Sequence, residues 1–530
     1  MMGNKKLQVW LPLLFSFVLI IGMFLGYKLN GGGKGGFFAS NRRSSVQEAI
    51  DLIRTRYVDS VKVDSLEDKA IEQIMTQLDP HSVYLPPVQL KEANEDLDGK
   101  FQGIGVEFNI FNDTVNVVYV IPGGPSEKAG LLPGDKILRV NDSVITGRKF
   151  DTDNIKKYIK GPGGSKAVLQ VLRGTKQLAI TITRGTIVVP SIDAAYMIDK
   201  TTAYIKLNKF SDGCYREFMQ SLEALKNQGM QNLVFDIRGN GGGFMNEAVE
   251  MADEFLDGEK LVVYLQGVNT KKREYRCKRP GLLEKGKLIL LVDELSASAS
   301  EVLAGALQDW CRATVIGRRT FGKGLVQEQY SLSDGAAIRL TIARYYTPLG
   351  RSIQRSYANG KKIYMDDLWD RYKSGEMFSE DSVRRHNNGK VYQNTCGKPL
   401  YGGDGITPDI FVPIDTTIVY DHINSLIGSS ILNQYLYSYY FSHKQDFDRF
   451  KTLNEYVTGF SPNGLLAGFE KKLVADTSLK TAPLSAREKQ MLELRMKGLL
   501  ARYKWSNPGY YQVINTDDPV MRKALETIAQ

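Results

Sequence analysis

The chain opens on an apolar run from about Val9 to Leu25, interrupted only by Pro12, Ser16 and Gly22 and preceded by Lys5 and Lys6. About 20 residues cross a bilayer as a helix, and this run just reaches the lower end of that range. Lysines on the N-terminal side orient that end toward the cytoplasm. The pattern predicts a signal anchor over residues 1–30, an uncleaved transmembrane helix preferred over a signal peptide cut near Phe38-Ala39-Ser40. A Gly-rich linker is expected over 31–41. From 42 to 98 the apolar positions fall at helical spacing: Ile50, Ile53 and Tyr57, then Ala70, Ile71, Ile74, Met75 and Leu78. Leu78-Asp79-Pro80-His81-Ser82 should end that helix, because proline disfavours helical geometry in the residue before it.

The texture then shifts to short strands and Gly/Pro turns. Val115–Ile121 and Lys136–Val140 read as strands, and Ser126–Gly130 as one helical turn between two turn motifs. This predicts a small β-rich module over 99–185. Across 186–415 the pattern alternates. Strands are expected at Ala203–Leu207, Leu233–Ile237 and Leu288–Val292, and helices at Tyr215–Asn227, Asn246–Leu256 and Ser300–Trp310. Alternation of this kind indicates an α/β domain with largely parallel core strands. Residues 416–530 read as a helical extension, clearest over Ala486–Leu500, with Met491, Leu492, Met496 and Leu499 set among charges.

A chain of 530 residues, 42% hydrophobic and 24% charged, is multidomain and globular. Its net charge of +10 is mostly dispersed. The one dense run, Lys271–Arg279, reads as a solvated hairpin, so nucleic acid is not an expected partner. The four cysteines form no CxxC pair; they define no metal site and leave one or two disulfides open.

Three segments carry candidate chemistry. Asp293-Glu-Leu-Ser-Ala-Ser298-Ala-Ser-Glu301 lies between an apolar strand and a helix rich in small residues. A serine there sits beside unpaired backbone N–H groups, where a carbonyl under attack finds donors for its oxyanion; the plainer role is helix capping. Gly317-Arg-Arg-Thr-Phe-Gly-Lys323-Gly324 nearly matches the phosphate loop GxxxxGK[ST], which makes a nucleotide-binding protein the rival reading. Position 324 lacks the metal-ligating hydroxyl, and Leu325–Tyr330 reads as a strand rather than a helix. A lysine in a dry site can instead serve as a general base, each pKa unit of depression costing about 1.4 kcal/mol. Serine–lysine pairs are a known variant of serine–histidine catalysis. Only four histidines exist, and His81, beside Pro80, reads as structural. The third segment, Asp236-Ile-Arg238-Gly-Asn240-Gly-Gly-Gly243, allows close backbone approach and suits an oxyanion hole or a tight turn.

Together these segments resemble the carboxyl-terminal processing (tail-specific) proteases, serine peptidases with a PDZ domain. The resemblance implies Ser298 as nucleophile, Lys323 as base, and Gln327 as the residue that orients the lysine. It implies oxyanion donors at Ala299 and at Gly242 or Gly243; Gly241 stands where many relatives have proline. Leu78–Leu85, Tyr346–Ile353 and Gly405–Asp409 resemble further signatures of the family, and residues 357–403 look like an insertion. The module over 99–185 resembles a PDZ domain, with Phe101, Gln102, Gly103, Ile104 and Gly105 as its carboxylate-binding loop. The implied architecture is multidomain α/β, with a ClpP/crotonase-like protease core over 186–415. The implied function is cofactor- and metal-free cleavage of exported proteins with free C-termini, near that terminus. The body would be held in the bacterial periplasm by its single-pass inner-membrane anchor, and self-association is compatible with the family. A catalytically inactive exported peptide-binding scaffold is the non-enzymatic alternative, although Ser298, Lys323 and Gln327 are all present.

Overall fold

The computed structural model describes residues 5–29, 44–147, 150–381, 390–418, 420–475 and 483–530. The linker expected over 31–41 lies outside them. The chain divides into two units, residues 1–71 and 72–530. The first contains the helices Lys5–Leu29 and Ser45–Arg56, the latter capped by the Ser44 hydroxyl, which accepts from the Gln47 N–H. No helix among the described residues is long and apolar enough to cross a membrane. This corrects the expected signal anchor, and with it the single-pass inner-membrane, periplasmic placement. The helix Lys5–Leu29 has 25 residues, but its apolar run covers only the 17 from Val9 to Leu25. That run is short of about 20 residues and is broken by Pro12, Ser16 and Gly22.

The second unit is a multidomain α/β assembly with a helical C-terminal region. In its β-rich module the antiparallel strands Val106–Phe111, Thr114–Val120, Lys136–Val140, Lys166–Arg173 and Lys176–Thr183 follow one another in sheet order. The alternation of Lys166–Arg173 turns Ala167, Leu169 and Val171 into a core with Ile104, Val115, Val117 and Ile155. The strand Lys100–Gly103 pairs with Gly185–Val188, so the module's two ends are tied together where it meets the next domain.

The central sheet of that domain runs Ile192–Met197, Thr202–Leu207, Asn232–Asp236, Leu288–Val292, Thr314–Gly317, Ile410–Phe411. All pairings are parallel except the first. Leu288–Val292 is buried on both faces, which explains its unbroken apolar run. The helices Cys214–Asn227, Met245–Asp253 and Ala299–Asp309 cover one face. A second, antiparallel sheet is built on Ala337–Tyr346, which pairs with Leu325–Ser331, Leu261–Gln266 and the short strand Val83–Leu85. The basic run forms the edge strand Arg273–Arg276; Lys272 and Arg276 pair with Glu274, and Arg279 with Glu250 and Glu254.

The C-terminal helices enclose their own core of Leu432, Leu436, Phe447, Tyr456, Phe469, Leu492, Met496 and Leu500. The amphipathic stretch is part of a longer helix, Ala486–Ile514, kinked at Ser506 two residues before Pro508. These helices strap the other domains together. Tyr437 packs on Phe111 and Val118 of the β-rich module, and Arg502 pairs with Glu107 at 2.9 Å. On the other side Asp518 pairs with Arg238 at 2.7 Å, while Val520, Met521 and Ala524 close the second face of the central sheet. A disulfide joins Cys311, at the end of the helix Ala299–Asp309, to Cys396 in the insertion, and Cys214 and Cys277 are free and buried.

Candidate active site

Parallel sheets place functional groups at the carboxyl ends of their strands, where loops turn into helices. Asn232–Asp236 and Leu288–Val292 are neighbours in register, so the loops that follow them, 237–244 and 293–298, lie side by side. Asn240 joins them. Its carbonyl accepts from the Ala297 N–H (3.0 Å) and the Ser300 hydroxyl (2.8 Å). Below them Asp236 is buried against Arg238, Tyr204 and Lys206. Burial raises its carboxyl, but the two cations outweigh that and hold it well below the usual range.

Ser298 is the N-cap of the helix Ala299–Asp309 and has φ +58, a region that non-glycine residues rarely occupy. The strain is held by its surroundings. Its N–H donates to Glu301 Oε2 (2.9 Å), and it shares the cavity lining with the phenol of Tyr345, which burial pushes up to about 12. Glu301 is fully buried and joins two loops. Besides Ser298 it accepts from the N–H groups of Gly322 (2.7 Å) and Lys323 (2.8 Å) and the hydroxyl of Thr320 (2.5 Å). Burial raises its carboxyl, and these donors offset only part of the rise. The serine loop and the lysine loop are thus tied to one carboxylate.

Ser298, Lys323 and Gln327 line one cavity of about 1090 Å³, with Gly242, Gly243, Phe101, Arg339 and Tyr345. Lys323 is followed by the strand Leu325–Ser331, so the helix N-terminus that a phosphate loop requires is absent here. Burial lowers the lysine's pKa and the Arg339 cation lowers it further, against the opposing pull of Glu301 and Asp79. Both effects favour the neutral amine that a general base requires. His81 packs edge-on to Phe321 and Tyr364, with Nε2 2.9 Å from the Tyr364 hydroxyl. Burial, the largest cause, holds its pKa down at about 4.

The expected oxyanion donors separate. The Gly242 N–H donates to Asn240 Oδ1 at 2.9 Å. At φ +99, a Cβ on Gly242 would lie 2.8 Å from Ser298 Cβ and 2.7 Å from the Ala297 carbonyl, so only glycine fits there. Gly243 fits against Phe210, whose carbonyl a Cβ would meet at 2.1 Å. Ala299 is the first residue of its helix, and its N–H has no intrahelical partner.

The five residues of the expected carboxylate loop also separate. Phe101 reaches the cavity, with Lys160 Nζ 4.7 Å over its ring. Gln102 is turned to Thr186 (2.9 Å). Gly103, Ile104 and Gly105 are buried, Ile104 within the module's core and its carbonyl accepting from the Ser126 hydroxyl at 2.7 Å.

Glu301, Asn240, Tyr345 and Thr341 were not singled out from sequence. Glu301 ends the serine run, and its fixed place three residues after Ser298 was the available signal. Asn240 lay within the Gly-rich segment Asp236–Gly243, while Tyr345 and Thr341 sit in a strand whose composition carries no mark.

A strained serine at a helix N-terminus thus shares one cavity with a half-buried lysine and a glycine-lined loop, an arrangement compatible with a serine peptidase. The comparisons with known proteins agree. Residues 201–360 match Peptidase family S41, 117–173 match the PDZ domain, and 422–506 match a family of unknown function. The carboxy-terminal-processing protease of Bartonella bacilliformis is 31% identical over 350 residues, covering 65% of this chain and 80% of the relative. A probable CtpA-like serine protease of Staphylococcus epidermidis is 34% identical over 324 residues, 61% of this chain and 64% of that one. Among solved structures, a photosystem II D1 C-terminal processing protease matches at 24% identity with a TM-score of 0.35, over 69% of this chain and 86% of that chain. The chain belongs to the carboxy-terminal-processing proteases of family S41 and is a serine-type C-terminal processing peptidase.

Proposed function

We propose that this peptidase cuts with a Ser298/Lys323 dyad, near the C-terminus of proteins whose tail is recognised by the PDZ module. The observation that carries the dyad is the shared carboxylate: Glu301 receives the backbone N–H of both residues, and both line one cavity. Neutral Lys323 takes the Ser298 proton as the hydroxyl attacks the peptide carbonyl. The Ala299 and Gly243 N–H groups hold the oxyanion, and water then releases the acyl group. Gln327 orients the lysine.

The domain division that supports this reading is PDZ over 99–185, a ClpP/crotonase-like core over 186–415 with the insertion 357–403, and the helical extension over 416–530. Tail recognition rests on the PDZ match and on Phe101 reaching the same cavity as Ser298. Because Gly103–Gly105 are buried, a bound carboxylate requires that turn to open. The Cys311–Cys396 disulfide favours substrates that are exported into an oxidising environment. The test is cleavage of a folded protein with an apolar C-terminal tail, free or amidated. Cleavage is expected to be lost in S298A and K323A and to be weaker for the amidated tail. An S298A chain that cuts at the wild-type rate would refute the dyad.

A further inference from the structure

The Leu78–Ser82 turn is absorbed neither by the catalytic dyad nor by the PDZ module, yet its side chains lead to the active-site cavity. Asp79 Oδ1 accepts from the His81 N–H (2.9 Å), the Ser82 N–H (3.0 Å) and the Thr341 hydroxyl (3.0 Å), and Oδ2 from the Ser82 hydroxyl. The Ser82 oxygen in turn accepts from the Thr341 N–H at 3.0 Å. Thr341 lies opposite Gln327 at a bulge between the strands Leu325–Ser331 and Ala337–Tyr346, and Gln327 Nε2 is 3.5 Å from Thr341 Oγ1.

Donor counting sets the direction of this chain. Burial raises the Asp79 carboxyl, but its hydrogen bonds from Ser82, His81 and Thr341 outweigh that and hold it below the usual carboxylate range. An ionised carboxylate only accepts, so the single hydroxyl proton of Thr341 is committed to Asp79. The Thr341 oxygen can then only accept, and what it accepts is the Gln327 NH₂ group. The Gln327 carbonyl is left as the end of the amide available to the cavity that it shares with Lys323. An amine acting as a base needs an acceptor for its N–H groups, and a flipped amide would present donors instead.

We infer that Asp79 and Thr341 are positioning residues that fix the polarity of the Gln327 amide, so that its carbonyl oxygen is the group offered to the Lys323 amine. This rests on the Ser298/Lys323 reading. A bulge puts Gln327 where a regular strand would not, and the short strand Val83–Leu85, paired to Ala337–Tyr346, holds the Asp79 turn against it.

The test uses the full chain and steady-state cleavage of a tailed substrate across pH, with thermal unfolding as a control. T341V should lower kcat on the order of 10- to 100-fold with KM within about twofold, and T341S should restore most of it. In a Q327A background, T341V should add less than about twofold, because residues acting in one chain are not additive. A T341V enzyme with wild-type kcat and pH profile, or multiplicative losses in the double variant, would overturn the chain. A K323A enzyme that remains active would overturn the dyad instead, so the two failures are distinct. A T341V chain that unfolds at lower temperature and is not rescued by T341S would also count against the positioning role.

Discussion

Two glycine-rich segments of this peptidase were expected to present backbone N–H groups to substrate, and they are built in opposite ways. The loop around Gly242 and Gly243 is assembled and open. It leaves no room for a Cβ between Gly242 and Ser298, is held by Asn240, and lines a cavity. The segment Phe101–Gly105 is closed, with Ile104 in the PDZ core and only Phe101 exposed to the cavity. The chemistry is preorganised, with Glu301 fixing the serine and lysine loops together. Under the proposed tail recognition, the closed segment has to open.

The largest effects should come from breaking the preorganised side. G242A puts a methyl group onto Ser298 Cβ at a backbone angle hostile to side chains, and should cut kcat/KM by a factor on the order of 10³ with little change in fold. E301A leaves four donors unsatisfied in the core. It should abolish cleavage and lower the unfolding free energy by on the order of 3–5 kcal/mol, read by denaturant titration. A smaller effect tests the charge around Lys323. The activity of a neutral lysine base rises with pH through the lysine's pKa. Arg339 depresses that pKa, so R339Q should move the acid limb of the kcat/KM profile to higher pH and cost roughly tenfold at pH 7. An unmoved limb would remove Arg339 from the account. The smallest effect belongs to the closed side. F101A should raise KM for a tailed substrate several-fold and leave kcat near wild type; a fall in kcat alone would mean that Phe101 serves the chemistry rather than the tail.

Much of this was legible in the chain. Leu288–Val292 and the helix after it were marked by an unbroken apolar run and a cluster of small residues. Ser298, Lys323 and Gln327 stood in separate motifs, and all three line one cavity. Legibility failed where an outcome depends on which partner takes a hydrogen bond. Nothing in a Gly-Gly-Gly run says that Asn240 will occupy the Gly242 amide, or that Ile104 turns inward. The N-terminal span was misjudged for a simpler reason. An apolar run of 17 residues lies at the edge of what a bilayer requires. The strap formed by the C-terminal helices was invisible because Tyr437 and Arg502 are marked only by the surfaces they meet.

The most direct test is covalent labelling by a serine-directed fluorophosphonate across pH, with the modified residue located by mass spectrometry. One adduct at Ser298 is expected, forming faster as pH rises through the lysine's depressed pKa and not detectably in K323A. An adduct on another residue, or labelling of K323A at the wild-type rate, would contradict the pairing of Ser298 with Lys323.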